Sequence, residues 1–134
     1  MLARPFHIQT IVLVDDDDAL RSALTFTLEL DGYVVQALDS GEALLGHVLP
    51  QPPACMVIDQ HLGALSGVET LERLRASGVT LPAVMITSEV TAGLRARAGA
   101  LGAAIVEKPL FGDTLRLEIE AALQHGTFGF TAAP

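Results

Sequence analysis

Short apolar runs alternate along the chain with longer segments in which apolar residues recur every three or four positions. A short continuous apolar run is typical of a strand buried on both faces of a parallel sheet, whereas the longer period is typical of an amphipathic helix. The runs predict five strands, at residues 10–14, 33–37, 54–58, 83–87 and 104–107.

Five helices are predicted between and after these strands. They lie at 18–30, from Ser40 onward, at 68–76, within 91–101, and from Gly112 or Asp113 to Gly126. The apolar stripe of the first helix is Leu20, Ala23, Leu24, Thr27 and Leu28, and that of the second is Ala43, Leu44, Val48 and Leu49. Alternating strands and helices predict an α/β fold, a doubly wound five-stranded parallel sheet with helices on both faces. The pattern alone leaves the strand order open.

Composition narrows the function classes. The 134 residues are enough for one domain with a real core, and we treat 1–134 as a single domain with its core at about 8–125. Acidic residues outnumber basic ones 16 to 8, so the net charge of −8 disfavours direct nucleic-acid binding. No apolar run reaches the length of a membrane span or a signal peptide, and we expect a cytoplasmic protein. The single cysteine, Cys55, excludes a disulfide framework and a zinc-ligand set.

Four consecutive aspartates follow the first strand, in the stretch TIVLVDDDD. Like charges packed at a strand end are costly unless a cation offsets them, and an all-oxygen set suits a hard cation such as Mg²⁺. We therefore assign Asp15 and Asp16 to a site. Asp17 and Asp18 fit better as the N-terminal cap and first turn of the following helix.

Other polar residues follow the remaining strands. Asp59 ends strand three, Thr87 and Ser88 end strand four, and Lys108, the only lysine beside seven arginines, ends strand five. Each alone also fits an ordinary turn or surface residue. Because the carboxyl ends of parallel strands share one edge, we expect these groups to converge there. Together they suit a phosphoryl group, with a carboxylate nucleophile, Mg²⁺, a hydroxyl donor and an ammonium.

Four motifs in order, VLVDDDD, VIDQHLGALSG, MITS and VEKPL, resemble the receiver domain of two-component response regulators over about residues 8–125. The resemblance implies a flavodoxin-like (βα)5 fold with strand order 2-1-3-4-5. It implies that Asp59 is the phosphoacceptor, Thr87 the switch hydroxyl and Lys108 the paired lysine. It also implies that Mg²⁺ is held by Asp15, Asp16, Asp59 and the main-chain carbonyl of His61.

The same resemblance implies partners and an output. The donor would be a phosphohistidine on a histidine kinase or a histidine phosphotransfer protein. The output would be contact with a downstream protein or a fused output domain, with no membrane and no direct nucleic-acid contact. The domain would transfer the phosphoryl group to itself, so we expect a signalling domain rather than a turnover enzyme. Because the tail after the last helix, with Phe128 and Phe130, is short for a DNA-binding or catalytic output domain, we expect a stand-alone receiver or an excised one.

Some positions depart from the family pattern. Gly63 stands where the family usually has proline in the phosphoacceptor loop, and Ile105 stands where it has an aromatic residue that rotates on activation. We therefore expect phosphorylation to shift the segment 88–101 instead. His61 and Glu89 occupy positions that, in the family, tune how fast the phosphoryl group is lost to water.

Two other functions remain open at this point. Asp15-x-Asp17 after an apolar strand also resembles the opening motif of haloacid-dehalogenase-type phosphatases. That class needs a further acidic pair late in the chain, and only Asp113 follows Lys108 before the last helix. The other alternative is a degenerate receiver that binds partners constitutively, which the missing aromatic favours and the complete acidic set disfavours.

Overall fold

The computed structural model describes residues 8–110 and 112–125 and contains one five-stranded parallel sheet within that part of the chain. The strands are β1 Thr10–Val14, β2 Val34–Leu38, β3 Ala54–Asp59, β4 Ala83–Thr87 and β5 Ala103–Glu107. The helices are α1 Asp18–Leu30, α2 Gly41–Leu45, α3 Gly67–Ala76, α4 Ala92–Ala100 and α5 Thr114–His125. The strand order is β2-β1-β3-β4-β5, which confirms the predicted doubly wound α/β fold and its 2-1-3-4-5 order.

Two apolar layers hold the helices on the sheet. Side chains of a strand alternate between its faces, so in β1 Val12 faces one layer and Ile11 the other. The first layer packs under α2, α3 and α4, and the second under α1 and α5. The three central strands are buried along their whole length, which explains why their sequences are continuous apolar runs.

The second helix is shorter than predicted. Ser40 caps it as expected, with its hydroxyl accepting a hydrogen bond from the N–H of Ala43 at 3.0 Å. The helix ends at Leu45, however, and Val48, expected on its apolar stripe with Leu49, lies beyond it with 88% of its surface exposed. Gly46 follows the last helical residue, and glycine is a poor helix former. The predicted extension to Leu49 was therefore wrong.

The buried face of α1 is also narrower than predicted. Leu24 and Leu28 are buried, but Ala23 and Thr27 are exposed, and the Thr27 hydroxyl donates to the Ala23 carbonyl at 3.0 Å.

Strand β2 begins and ends one residue later than expected, and α5 begins at Thr114. Gly126, Phe128 and Phe130 lie outside the described residues. None of the described helices is long and apolar enough to cross a membrane.

Candidate functional site

The register of the sheet places the predicted carboxylates side by side. Val14 of β1 pairs with Ile58 of β3, so the next residue of each strand, Asp15 and Asp59, reaches the same edge. Both are buried, with no exposed surface on Asp15 and 2% on Asp59. Two neighbouring carboxylates in an apolar surrounding are electrostatically unfavourable unless other groups compensate them.

Asp59 has compensating partners on both oxygens. The ammonium of Lys108 donates to Oδ2 at 2.7 Å, and the N–H of His61 donates to Oδ1 at 2.9 Å. The Lys108 main chain is itself fixed, because its N–H donates to the Thr87 carbonyl at 2.7 Å where β5 leaves β4. The structure thus brings together Asp59 and Lys108, two of the groups that were predicted to converge at this edge.

Asp15 is only half satisfied. Its Oδ1 accepts a hydrogen bond from the N–H of Asp17 at 2.9 Å, but Oδ2 is buried without a hydrogen-bond partner. Burial is the main cause that raises the pKa of Asp15 to about 6. The Asp17 N–H opposes that rise, the negative charge of Asp59 adds to it, and the positive charge of Lys108 lowers it. A proton or a cation would satisfy this oxygen.

The donor set therefore fits a hard cation, since a buried oxygen without a partner lies next to a second carboxylate. Asp16, by contrast, is exposed. Within residues 8–110 and 112–125, no group of three or more Asp, Glu, His or Cys side chains is arranged to hold a metal ion. The structure thus joins Asp15 and Asp59, and it does not bring the Asp16 side chain into a three-residue cluster with them.

The rest of the acidic stretch belongs to α1, as predicted. Asp17 is the N-cap and accepts from the N–H of Leu20 at 3.1 Å, and Asp18 in the first turn pairs with Arg21 at 2.7 Å. The sequence analysis missed a second contact of Arg21, whose guanidinium donates to the Asp15 carbonyl at 2.8 Å. Arg21 reaches this carbonyl through a long flexible side chain, so no spacing in the sequence indicates the contact.

Thr87 is completely buried at the end of β4. Its hydroxyl donates to the carbonyl of Glu89 at 3.1 Å and accepts from the Glu89 N–H at 3.2 Å. The hydroxyl is therefore engaged with the β4–α4 loop. Ile105 is the register partner of Met85 and packs, partly buried, against the layer under α2, α3 and α4.

The loop from β3 to α3 is closed by Gln60, which the sequence analysis did not single out. Its N–H donates to Ile86 at 2.8 Å, its carbonyl accepts from Gly67 at 3.0 Å, and its Oε1 accepts from the N–H of Val68 at 2.8 Å. Gly67 packs so closely on Asp59 that a Cβ atom there would collide with the Asp59 carbonyl. His61 is exposed on this loop.

Comparison with known proteins gives a consistent result. The family model of the response regulator receiver domain matches residues 11–120. The transcriptional regulatory protein FixJ of Azorhizobium caulinodans is 33% identical over 120 residues, which cover 89% of this chain and 54% of that protein. The C4-dicarboxylate transport transcriptional regulatory protein DctD of Pseudomonas aeruginosa is 34% identical over 122 residues, which cover 90% of this chain and 26% of that protein.

Solved structures of response regulators have the same fold. The crystal structure of FixJ-N has a TM-score of 0.77 at 28% identity and is matched over 96% of this chain and 100% of that chain. The response regulator StyR has a TM-score of 0.82 at 31% identity, over 90% of this chain and 61% of that chain. The chain spans about half the length of the FixJ proteins that it matches. It belongs to the receiver domain family of the response regulators of two-component systems.

Proposed function

We propose that this domain accepts a phosphoryl group on Asp59 and thereby switches a protein-contact surface. The observation that carries the proposal is the buried carboxylate of Asp59, held by Lys108 at 2.7 Å and by the His61 N–H at 2.9 Å beside Asp15. A fixed, water-poor carboxylate is suited to act as a nucleophile.

The reaction needs few groups. A carboxylate oxygen of Asp59 attacks the phosphorus of a phosphohistidine, the P–N bond breaks, and its electron pair stays on the imidazole nitrogen. Lys108 would pair with the charge of the incoming phosphoryl group. The Thr87 hydroxyl becomes a hydrogen-bond donor to that group once it exchanges its partner Glu89.

Mg²⁺ would be held by Asp15 and Asp59, with the Asp16 carboxylate and the His61 carbonyl completing the predicted set. When bound, it neutralises phosphoryl charge and the repulsion between carboxylates. The buried Oδ2 of Asp15 supports this assignment, because no hydrogen-bond donor among the described residues satisfies it.

Partners follow from this chemistry. The donor would be a phosphohistidine on a histidine kinase or on a histidine phosphotransfer protein. The relatives named above are transcriptional regulators, and the matched segments cover only 54% of FixJ and 26% of DctD. We therefore propose a regulatory output through a fused domain or a separate downstream protein. With a net charge of −8, this domain would not contact nucleic acid itself. We propose a cytoplasmic signalling domain, 1–134, rather than a turnover enzyme.

Intact-mass analysis after incubation with acetyl phosphate and Mg²⁺ tests the proposal. The expected result is one added phosphoryl group on the wild type, none on Asp59→Asn, and none on the wild type with excess chelator. A wild type without an adduct, while a known receiver is labelled in the same tube, would indicate a degenerate binding module. Multiple turnover of a simple phosphomonoester would indicate a phosphatase of the haloacid-dehalogenase type.

A further inference from the structure

Gln60 closes the loop that carries the His61 backbone. Its main-chain carbonyl and its side-chain Oε1 accept hydrogen bonds from two successive residues, Gly67 at 3.0 Å and Val68 at 2.8 Å. These two N–H groups lie in the first turn of α3, where a helix provides no partner for them. Gln60 therefore joins the residue after Asp59 directly to the start of α3.

The remaining N–H groups of that turn are satisfied separately. The Ser66 hydroxyl accepts from the N–H of Glu69 at 3.1 Å, and the Glu69 carboxylate accepts from the N–H of Ser66 at 2.9 Å. This capping box holds the helix end without touching residue 60. The hydrogen bonds of Gln60 and those of the capping box can thus be removed separately by mutation.

The loop between these anchors contains a glycine in the left-handed backbone region. Gly63 has φ +86° and no neighbouring atom within 4 Å of a Cβ position, and Ala64 beside it is exposed. Leu62 is buried and holds the middle of the loop. Glycine has the largest choice of backbone conformations, so a loop that contains it depends more on the bonds that close it. On the Asp59 side, the closing bonds are those of Gln60.

We propose that Gln60 is a positioning residue, whose side-chain bond to Val68 holds the His61 N–H on Oδ1 of Asp59. This inference rests on the proposed function for its catalytic consequence, because His61 flanks the phosphoacceptor. Without the bond, the loop would open more often, and the Asp59 carboxylate would lose one of its two hydrogen-bond partners more of the time.

Amide hydrogen exchange measured by NMR on the full chain tests the positioning directly. Gln60→Met keeps the length of the side chain but removes the amide acceptor. Exchange at the His61 and Val68 amides is expected to quicken about five-fold or more, the usual effect of one lost hydrogen bond. Gln60→Glu retains an acceptor facing a helix N-terminus and is expected to restore both amides to the wild-type rate.

Ser66→Ala is the matched control, since it weakens the same helix end by a comparable amount without reaching residue 60. It is expected to leave exchange at His61 within two-fold of the wild type. The initial rate of labelling by acetyl phosphate is expected to fall about five-fold in Gln60→Met and to stay unchanged in Ser66→Ala.

Equal His61 exchange in Gln60→Met and Ser66→Ala overturns the inference, as does faster exchange in Gln60→Met without slower labelling. A wild type that takes up no phosphoryl group refutes the proposed function instead, and in that case His61 exchange alone decides the role of Gln60. Thermal unfolding of each variant checks that it is folded at the temperature of the measurements.

Discussion

The Lys108 ammonium lies 2.7 Å from Oδ2 of Asp59, and the contact joins two strand ends that are 49 positions apart in the sequence. The Asp59 side chain is 3% exposed and that of Lys108 25%. Among the described residues, Lys108 is the cation that pairs with this deeply buried carboxylate, and we expect Asp59 to depend strongly on it.

Replacing Lys108 with methionine is expected to lower the free energy of unfolding by about 1–3 kcal/mol, because it removes a hydrogen bond to a buried charge. Urea unfolding at neutral pH without Mg²⁺ measures it. In an Asp59→Asn background the loss is expected to fall by at least half, since the charge it compensates is gone. The matched control is Arg116→Met, whose partners Asp113 and Glu120 are exposed. A similar loss in both single variants would contradict the prediction.

Asp15→Asn is expected to stabilise the domain at neutral pH. The pKa of Asp15 is raised to about 6 from an ordinary value of 3.8, mainly by burial. Between these values the folded chain holds a proton that the unfolded chain has lost, so stability decreases as the pH rises and the loss is complete above about 6. Asn at this position carries no charge, and we expect a gain of up to about 3 kcal/mol at pH 7.

Chemical unfolding of Asp15→Asn at intervals from pH 4 to pH 7.5, without Mg²⁺, measures this effect. The stability difference between Asp15→Asn and the wild type should decrease toward pH 4. It should also decrease when Mg²⁺ is added, because Mg²⁺ stabilises the wild type. Asp16→Asn, at an exposed position, is the control for the measurements without Mg²⁺, where it is expected to change the free energy of unfolding little. A variant at Asp15 that is less stable than the wild type at pH 7 would show that the carboxylate is better compensated than its surroundings indicate.

Thr87→Val is expected to separate phosphoryl uptake from switching. The buried hydroxyl holds the Glu89 main chain through both its donor and its acceptor, so its loss should cost about 1 kcal/mol of stability. Asp59 should still be labelled by acetyl phosphate, because Thr87 is not bonded to it. The change in amide exchange across residues 88–101 on phosphorylation should disappear in Thr87→Val and persist in Thr87→Ser. An unchanged response in Thr87→Val would assign the switch to other residues.

The sequence was sufficient to predict that Asp15, Asp59 and Lys108 lie close together at one edge of the sheet. A parallel sheet places all carboxyl ends on one edge, so finding the strands already places Asp15, Asp59 and Lys108 together. The register of β1 and β3, in which Val14 pairs with Ile58, then places Asp15 next to Asp59. Helix caps were equally accessible, since Ser40 and Asp17 act within three residues.

The sequence was insufficient where an outcome depends on loop shape or on a balance of weak preferences. Gln60 reaches Val68, eight positions away, only because the intervening loop folds back, and Arg21 reaches the Asp15 carbonyl through a long flexible side chain. The end of α2 was decided between an apolar stripe that continues to Leu49 and a glycine at position 46. A periodic pattern of apolar residues shows neither how a loop folds back nor which of two weak preferences ends a helix.

Gly67→Ala is expected to disturb the end of β3, where Asp59 lies. A Cβ atom at position 67 would overlap the Asp59 carbonyl and lie 2.9 Å from Cε of Met85. Backbone cannot yield as a flexible side chain does, and we expect a loss of about 1–3 kcal/mol together with slower labelling of Asp59. Gly99→Ala in α4 is the matched control, because nothing lies within 4 Å of its Cβ position. It should gain about 0.5–1 kcal/mol from helix propensity. Losses of similar size at both positions would argue against the close packing at Asp59.

Two arginines connect α4 to the rest of the domain, and we expect them to differ in importance. Arg75 of α3 is partly buried and donates to the carbonyls of Leu101 at 3.0 Å, Val79 at 3.0 Å and Leu81 at 2.7 Å. Burial lowers its pKa to about 10, so the guanidinium is still charged at neutral pH. Replacing it with methionine leaves these carbonyls without that donor, and a loss of about 2–4 kcal/mol is expected.

Arg97 of α4 makes a bidentate pair with Glu72 at 2.9 and 2.7 Å, but both side chains are exposed. An exposed pair contributes little, so Arg97→Met should cost less than about 1 kcal/mol, and its cost should shrink further in 0.5 M salt. Urea unfolding of both variants at low and high salt measures the contrast. If Arg97→Met lowers the free energy of unfolding as much as Arg75→Met does, then the surface ion pair contributes as much as the partly buried Arg75. The packing of α4 would in that case depend on the salt concentration.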